Sequence, residues 1–186
     1  MSKRIMLVDD ERGILNALRR MIESKAATEL APFALTVELF TSPIEALQRA
    51  EEISFDVVLS DYRMPEMTGV AFLTKIKSLQ PSAMRMILSG YADLTALISA
   101  INNAQIHCFL SKPWVDAELR AAIVHALVTQ AHQREREELA DFASVQKGTM
   151  SLHERELKRL AGTNPALARV NWSEDGGVML EPEDDA

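Results

Sequence analysis

The chain has 186 residues, of which 47% are apolar, a formal net charge of −7 and a single cysteine. This length suits one well-buried domain with an appendage, and the acidic balance argues against a nucleic-acid-binding surface, which needs clustered Lys and Arg. The lone thiol excludes an internal disulfide and fits a reducing cytoplasm. No apolar run approaches a membrane span of roughly 18 residues. The strand-like segment of about six residues after Arg4, which ends in acids, is too short for a secretory signal.

Strand-like and helix-like segments alternate along the first two thirds of the chain. Ser42 is predicted to cap a helix that has Pro43 at its first position and Glu45 at its third. Short apolar runs predict strands at 4–9, 36–40, 56–60, 84–88 and 107–110. Periodic apolar positions predict the other helices at 11–25, 70–79, 93–103 and from residue 116 onward.

Five strands that are each followed by a helix imply right-handed crossovers, with helices on both faces of a parallel sheet. The sequence therefore predicts an α/β fold, a flavodoxin-like, doubly wound five-stranded parallel sheet with the strand order 2-1-3-4-5. Strands two to five show little alternation of polar and apolar residues, so each is expected to be buried on both faces.

The helix that begins at Asp116 is predicted to run to about Lys147 and to end at Gly148. It is longer than such a domain needs. We therefore predict a domain over residues 1–130 and a C-terminal extension over 131–186. The extension is expected to contain the rest of this helix, a short helix at 152–161, a β-hairpin at 169–180 and an acidic tail.

Two interpretations of this helix remain open from the sequence. It is either a solvated helix that overhangs the domain or a helix that pairs with a second copy of the chain. A heptad repeat of apolar residues would favour pairing, but Glu135 and Glu138 interrupt it.

Polar residues follow four of the five predicted strands, at the positions where the strands end. Because the carboxyl ends of parallel strands meet at one rim of the sheet, these residues are expected to lie close together. Three carboxylates, one hydroxyl and one ammonium suit a divalent metal ion and a phosphoryl group. The residues are Asp9, Asp10, Asp61, Ser89 and Lys112.

Each of these groups has a chemical role in such a site. Mg²⁺ prefers oxygen ligands and needs only one or two carboxylates from a protein. Asp61 can act as a nucleophile that accepts a phosphoryl group, while Lys112 and Ser89 stabilise charge on the phosphoryl oxygens.

These residues, in this order and spacing, resemble the two-component response-regulator receiver domain over residues 3–130. The resemblance includes Met64-Pro65 and Gly69 after Asp61, and the pair Lys112-Pro113 after the fifth strand. It implies that Asp61 is the phosphoacceptor and that the Lys112–Pro113 peptide bond is cis. It also implies a histidine kinase or phosphotransfer protein as the phosphoryl donor.

The resemblance further implies the remaining roles at the site. Mg²⁺ would be bound by Asp9, Asp10, Asp61 and the backbone carbonyl of Arg63, and Lys112 would contact the phosphoryl group. Ser89 and Phe109 would be the switch residues, although Phe109 lacks the hydroxyl of the tyrosine that is commoner at its position. Their shift would alter the face formed by helix 93–103, the fifth strand and the last helix, and so bias an unknown output protein or a dimer.

Two further motifs resemble a subset of receivers. Ser89-Gly90-Tyr91-Ala92-Asp93 and Lys112-Pro113-Trp114 are similar to receivers of regulators linked to hydrogenase control and to cyclic-dinucleotide or HD-GYP phosphodiesterase outputs. No such output domain is recognised in the sequence.

Three alternative functions are weighed against a phosphorylation-controlled switch. A haloacid-dehalogenase-type phosphohydrolase would need an aspartate two residues after Asp61, where Arg63 stands. A DNA-binding regulator would need a basic helix or a helix-turn-helix pattern, which the acidic tail does not provide. A stand-alone receiver that passes the phosphoryl group onward would use the same site residues.

Overall fold

The structure is a computed structural model, and it describes residues 2–90 and 104–166. The helix predicted at 93–103 and the hairpin predicted at 169–180 lie outside the described residues. The elements are β1 (Ser2–Val8), α1 (Arg12–Ile22), β2 (Ala34–Phe40), α2 (Pro43–Glu52), β3 (Val57–Asp61), α3 (Gly69–Leu79), β4 (Met84–Ser89), β5 (Cys108–Ser111), α4 (Asp116–Gln146) and α5 (Leu152–Thr163).

The five strands form one parallel sheet in the order β2-β1-β3-β4-β5, which confirms the predicted topology. Every residue of β3 and β4 is buried. The expectation that β2 and β5 are also buried on both faces is wrong, because neither strand has a fully buried residue. The reason is their place in the sheet, since each forms an edge.

Alternate residues of the strands pack into two cores, one on each face of the sheet. Ile5 and Leu7 of β1 lie in the core formed with α1 and α4. Met6 and Val8 lie in the core formed with α2 and α3. This two-sided packing holds the carboxyl ends of β1 and β3 side by side.

Local signals set the helix starts close to their predicted positions. The Ser42 hydroxyl accepts hydrogen bonds from the N–H groups of Ile44 and Glu45, with Pro43 in the first turn, as predicted. Thr68 caps α3 in the same way, through Ala71. β1 ends at Val8, so Asp9 lies just beyond the strand, and β3 and β4 extend one residue further than predicted, to Asp61 and Ser89.

The long helix α4 has 31 residues and therefore spans about 46 Å. Its buried residues end at Gln130, and none from Ala131 to Gln146 is buried. The helix stops before Gly148, whose φ of 71° gives the left-handed conformation that glycine adopts at helix ends. None of the helices in the described ranges is both long enough and apolar enough to cross a membrane.

A polar cluster anchors α4 at the amino ends of β1 and β3. Lys3 Nζ lies 3.1 Å from Asp56 Oδ1 and donates to Gln130 Oε1 at 2.7 Å. Arg134 contacts the same Asp56 oxygen at 3.3 Å, while the Arg4 N–H donates to the other oxygen at 2.8 Å. The first turn of the overhanging half of α4 is thereby tied to the sheet.

The helix α5 folds back along the end of α4. Lys158 Nζ lies 2.6 Å from Asp141 Oδ1, and the Arg155 guanidinium lies 5.4 Å from the centre of the Phe142 ring. Ser151 and Glu154 form a reciprocal capping box at the start of α5. The extension over residues 131–163 is therefore a helical hairpin in the structure.

Candidate functional site

Three of the predicted site residues meet at the carboxyl-end rim of the sheet. Lys112 Nζ lies 2.7 Å from Asp9 Oδ2 and 2.5 Å from Asp61 Oδ1. The carboxylate side chains are nearly buried, with 2% of Asp9 and 9% of Asp61 exposed, whereas Lys112 is 21% exposed. One ammonium group thus joins two carboxylates that lie at the ends of different strands. Lys112 and Asp9 are 103 residues apart in the sequence.

The second oxygen of each carboxylate is held by a backbone N–H two residues further along the chain. Asp9 Oδ1 accepts a hydrogen bond from Glu11 at 2.9 Å, and Asp61 Oδ2 accepts one from Arg63 at 2.6 Å. Aspartate commonly bonds its own backbone in this way where a strand turns into a loop. These local bonds fix the orientation in which the two carboxylates face Lys112.

Burial and charge act on the same cluster in opposite directions. Burial raises the pKa of Asp9, and the hydrogen bonds from Lys112 and Glu11 offset this only in part. Burial alone would lower the pKa of Lys112, but its hydrogen bonds to Asp61 and Asp9 and their charges outweigh it, so the pKa is raised. The site therefore keeps a charged ammonium next to a carboxylate whose ionised form is poorly solvated.

Gly69 supports the loop that presents Asp61. A Cβ added at Gly69 would lie 2.0 Å from the Asp61 carbonyl oxygen and 3.1 Å from the Ser60 hydroxyl oxygen. The Gly69 N–H donates to the Tyr62 carbonyl at 2.8 Å, which closes the loop of residues 62–68. The start of α3 can approach the end of β3 this closely only because residue 69 has no side chain.

The structure places the other predicted site residues around this cluster. Asp10 follows Asp9 and is exposed, and the exposed Arg63 contacts Asp61 through its N–H. Ser89 is 1% exposed at the end of β4, and its hydroxyl donates to the Gly90 carbonyl at 3.3 Å. Phe109 in β5 is half-buried and packs against the core formed with α2 and α3.

Lys112 is positioned by the backbone as well as by its charge. Its N–H donates to the Ser89 carbonyl at 2.7 Å, which continues the pairing of β4 with β5 beyond Ser111. The Lys112–Pro113 peptide bond is cis. The ends of β4 and β5 are therefore connected directly at the residue that contacts Asp61.

The donor set at this rim suits a hard divalent cation. Asp9 and Asp61 offer carboxylate oxygens, and Mg²⁺ needs only one or two of these, with water completing its shell. No group of three or more His, Cys, Asp or Glu side chains in residues 2–90 and 104–166 is close enough to hold a metal ion by itself. The fit thus rests on two carboxylates held by one ammonium rather than on a preformed cage.

Reasoning from the sequence missed the backbone donors of this site and the role of Gly69 as a close-approach residue. The N–H groups of Glu11 and Arg63 carry no signal in residue type, because every residue except proline has one. A signal for Gly69 existed in its place, since it follows a capping threonine at the start of an apolar helix.

An open parallel sheet of this order, with an acid–lysine cluster at its carboxyl-end rim, defines the receiver class. The sequence model of the "Response regulator receiver domain" family matches residues 5–124. The chain belongs to this family. Members of the family bind Mg²⁺ at their phosphorylation site and are phosphorylated by histidine kinases.

Individual relatives are similar over different shares of their length. The hydrogenase transcriptional regulatory protein HoxA of Cupriavidus necator is 30% identical over 163 residues, which are 88% of this chain but 32% of that protein. The chain thus spans about a third of the length of this curated relative. The resemblance to regulators linked to hydrogenase control is confirmed at the level of sequence similarity.

Solved receiver structures are similar over most of their own chains. The signal receiver domain of an HD domain-containing protein from Pseudomonas fluorescens Pf-5 is 35% identical with a TM-score of 0.64, covering 73% of this chain and 93% of that one. A CheY-like receiver domain protein from Methanospirillum hungatei JF-1 is 27% identical with a TM-score of 0.63, covering 72% of this chain and 99% of that one. The receiver fold is thereby shown.

Proposed function

We propose that this chain is a response regulator that accepts a phosphoryl group on Asp61 and, in response, changes a surface for protein interaction. The observation that carries the proposal is the contact of Lys112 Nζ with both Asp61 and Asp9 at the carboxyl-end rim. Asp61 is the proposed phosphoacceptor because its carboxylate is held on one side by Lys112 and on the other by the Arg63 N–H.

In the proposed step, a carboxylate oxygen of Asp61 attacks the phosphorus of a phosphohistidine on a histidine kinase or phosphotransfer protein. The new O–P bond forms as the P–N bond breaks, and the leaving imidazole nitrogen keeps the electron pair and takes up a proton. Such transfers depend on in-line placement and on cancelling charge at the phosphoryl oxygens. Lys112 supplies a positive charge beside Asp61 for this purpose.

Asp9, Asp10, Asp61 and the carbonyl of Arg63 are the proposed ligands of Mg²⁺. The ion, when bound, neutralises charge on the phosphoryl oxygens and on the carboxylates. The raised pKa of Asp9 supports this assignment, because a carboxylate that is poorly solvated when ionised gains from a nearby cation.

Ser89 and Phe109 are proposed to pass the change on. Ser89 is buried at the end of β4, the strand next to β3. Phe109 on β5 lies in register with Ile87 on β4. The Lys112 N–H donates to the Ser89 carbonyl, so a shift of Lys112 towards a phosphoryl group pulls on both strand ends. The output is proposed to be a partner protein or a second copy of this chain, engaged in the cytoplasm.

The receiver is proposed to cover residues 1–130 and the extension residues 131–186. The boundary lies inside α4, where burial ends at Gln130. A homodimer through the C-terminal helix is one proposed response, because this half of α4 leaves Leu139 63% exposed and Phe142 48% exposed.

The decisive experiment is mass spectrometry after treatment with a small phosphodonor and Mg²⁺. We expect one phosphoryl adduct in the wild type and none in Asp61→Asn. Asp56→Asn is the matched control, because it alters a buried carboxylate at the other end of β3 and should leave the adduct in place. An adduct that persists in Asp61→Asn would refute the assignment.

The response is tested by light scattering with and without beryllofluoride, which mimics the phosphoryl group. A change in mass would assign the extension to regulated assembly, whereas a constant mass would point to a different protein as the partner. Retention of the protein on DNA that weakens with salt would contradict a protein-only output.

A further inference from the structure

An exposed stripe runs along α4 from Val128 into its overhanging half. Its residues recur at alternating spacings of four and three, which is the spacing of a helix-pairing seam. Three of them are large and apolar, with 42% of Val128, 63% of Leu139 and 48% of Phe142 exposed. We call this stripe the seam, and its residues are Val128, His132, Glu135, Leu139, Phe142 and Gln146, all of them exposed.

The seam lies on the side of α4 that faces away from the contacts that α4 makes with the described residues. At 100° per residue, Gln130, Arg134 and Asp141 share one face of the helix, and the seam residues centre on the opposite face. The first face is covered, since Gln130 contacts Lys3, Arg134 contacts Asp56 and Asp141 contacts Lys158. The helix α5 meets the seam where the Arg155 guanidinium lies over the Phe142 ring. A second helix can therefore reach most of the seam without displacing α5.

The charges of the seam discriminate between the two orientations of a helix pair. In a parallel pair each residue faces its own copy, so Glu135 would face Glu135 of the second copy. Like charges at the centre of an interface are strongly unfavourable. The sequence thus disfavours a parallel pair at the position where the heptad of apolar residues is interrupted.

An antiparallel pair centred between residues 133 and 134 removes this conflict. His132 then faces Glu135 of the second copy, and the two already lie 3.9 Å apart within one helix, between His132 Nδ1 and Glu135 Oε2. Val128 faces Leu139 of the second copy, so these two large apolar side chains also meet. Glu138, the other acid that interrupts the parallel heptad, lies outside the seam.

We propose that α4 pairs antiparallel with α4 of a second copy of this chain along the seam. This inference deepens the proposed homodimer and rests on it for its role in signalling, but the pairing itself does not require phosphorylation at Asp61. The two receivers would lie at opposite ends of the helix pair. Because only Val128 and Leu139 of each helix meet a large apolar side chain, the dimer is expected to dissociate on dilution.

The orientation is tested by disulfide crosslinking in a Cys108→Ala background, which removes the native thiol. Two chains, one with Val128→Cys and one with Leu139→Cys, are oxidised separately and as a mixture. Because a disulfide needs Cα atoms within about 7 Å, an antiparallel pair gives a covalent dimer only in the mixture. Covalent dimers of the single variants, at the same yield as in the mixture, would show a parallel pair and overturn the proposal.

The charge argument is tested by His132→Lys, which has opposite effects in the two orientations. An antiparallel pair should dimerise about fivefold more tightly, because the lysine of each copy faces Glu135 of the other copy and the dimer contains two such pairs. A parallel pair should weaken, because lysine would face lysine. Ala140→Lys adds the same charge on an exposed position outside the seam and should change the dissociation constant less than twofold.

The seam itself is tested by Leu139→Glu, measured by sedimentation equilibrium across a concentration series. The variant should be monomeric, while urea unfolding and the phosphoryl adduct on Asp61 stay unchanged. A wild type that is monomeric at every concentration, with and without beryllofluoride, overturns the pairing and leaves the phosphoacceptor proposal standing. A wild type that dimerises but forms no phosphoryl adduct on Asp61 overturns the phosphoacceptor proposal alone.

Discussion

The two ends of the central strands β1 and β3 carry similar charged groups in different arrangements. At the amino ends, Asp56 is contacted by Lys3 and Arg134. At the carboxyl ends, Asp9 and Asp61 share Lys112. Each cluster joins carboxylate and cationic side chains at one rim of the same sheet. The two clusters therefore differ in the ratio of these charges and in what covers them.

The amino-end cluster is closed, and the carboxyl-end cluster is open. Both oxygens of Asp56 are used by cations or by the Arg4 N–H, and α4 lies across the cluster through Gln130. At the other rim two carboxylates share one ammonium, and the pKa of Asp9 is raised. A carboxylate with two cations forms a structural clamp. Two carboxylates with one ammonium form a site that a further cation would stabilise and where one carboxylate can react.

The largest effect is expected when the lysine of each rim is removed in turn. Lys112→Met should slow phosphorylation of Asp61 by a small phosphodonor about 100- to 1,000-fold, because the charge that stabilises the phosphoryl oxygens is lost. Lys3→Met removes the same charge at the amino ends and should leave this rate unchanged. Equal phosphorylation rates for Lys112→Met and Lys3→Met would contradict a specific role of the carboxyl-end lysine.

Asp56→Ala should have the second largest effect, on stability alone. We expect the free energy of unfolding in urea to fall by about 2–3 kcal/mol, because a buried carboxylate between two cations is removed while Lys3 and Arg134 keep some access to water. Glu52→Ala, which breaks an exposed ion pair with Arg49, should cost less than about 0.5 kcal/mol. A similar cost for both variants would contradict the closed cluster.

Gly69→Ala should reduce stability by about 2 kcal/mol, because its Cβ would collide with the Asp61 carbonyl and must displace the backbone there. The same displacement should slow phosphorylation of Asp61. Gly13→Ala is the matched control, since nothing lies within 4 Å of its added Cβ in α1, and it should be neutral or slightly stabilising. Wild-type stability and rate in Gly69→Ala would show that the close approach at this loop is not needed.

The smallest effect concerns pH at the amino-end rim. Burial and the Arg85 charge lower the pKa of His107, whose Nδ1 accepts a hydrogen bond from the Arg85 N–H. Since the neutral form is favoured in the folded state, the contribution of His107 is complete above the unfolded pKa of about 6.5 and is lost as the pH falls towards the folded pKa.

The test is urea unfolding of the wild type and of His107→Asn between pH 7.5 and pH 5. The wild type should lose stability as the pH falls, and the variant should lose less, because asparagine can accept the Arg85 hydrogen bond without titrating. Parallel curves for the two proteins would exclude this role of His107.

The sequence predicted the parallel sheet and its order because strand and helix periodicities differ and crossovers are right-handed. It also predicted which rim would hold Asp9, Asp61 and Lys112, since each lies at or just beyond the carboxyl end of a predicted strand. The burial of the edge strands was predicted wrongly, because an apolar composition does not reveal whether a strand has one neighbour or two.

By itself, the sequence determined the elements, their order and the charged residues at the strand ends, all of which depend on local spacing. The tertiary structure decided which cation meets which carboxylate, because Lys112 reaches Asp9 across 103 residues and Arg134 reaches Asp56 across 78. It also decided that α4 is anchored near its middle by Asp56 and covered by α5 on one face, with the seam exposed on the other. These contacts depend on the packing of elements that are far apart in the chain, which no local pattern encodes.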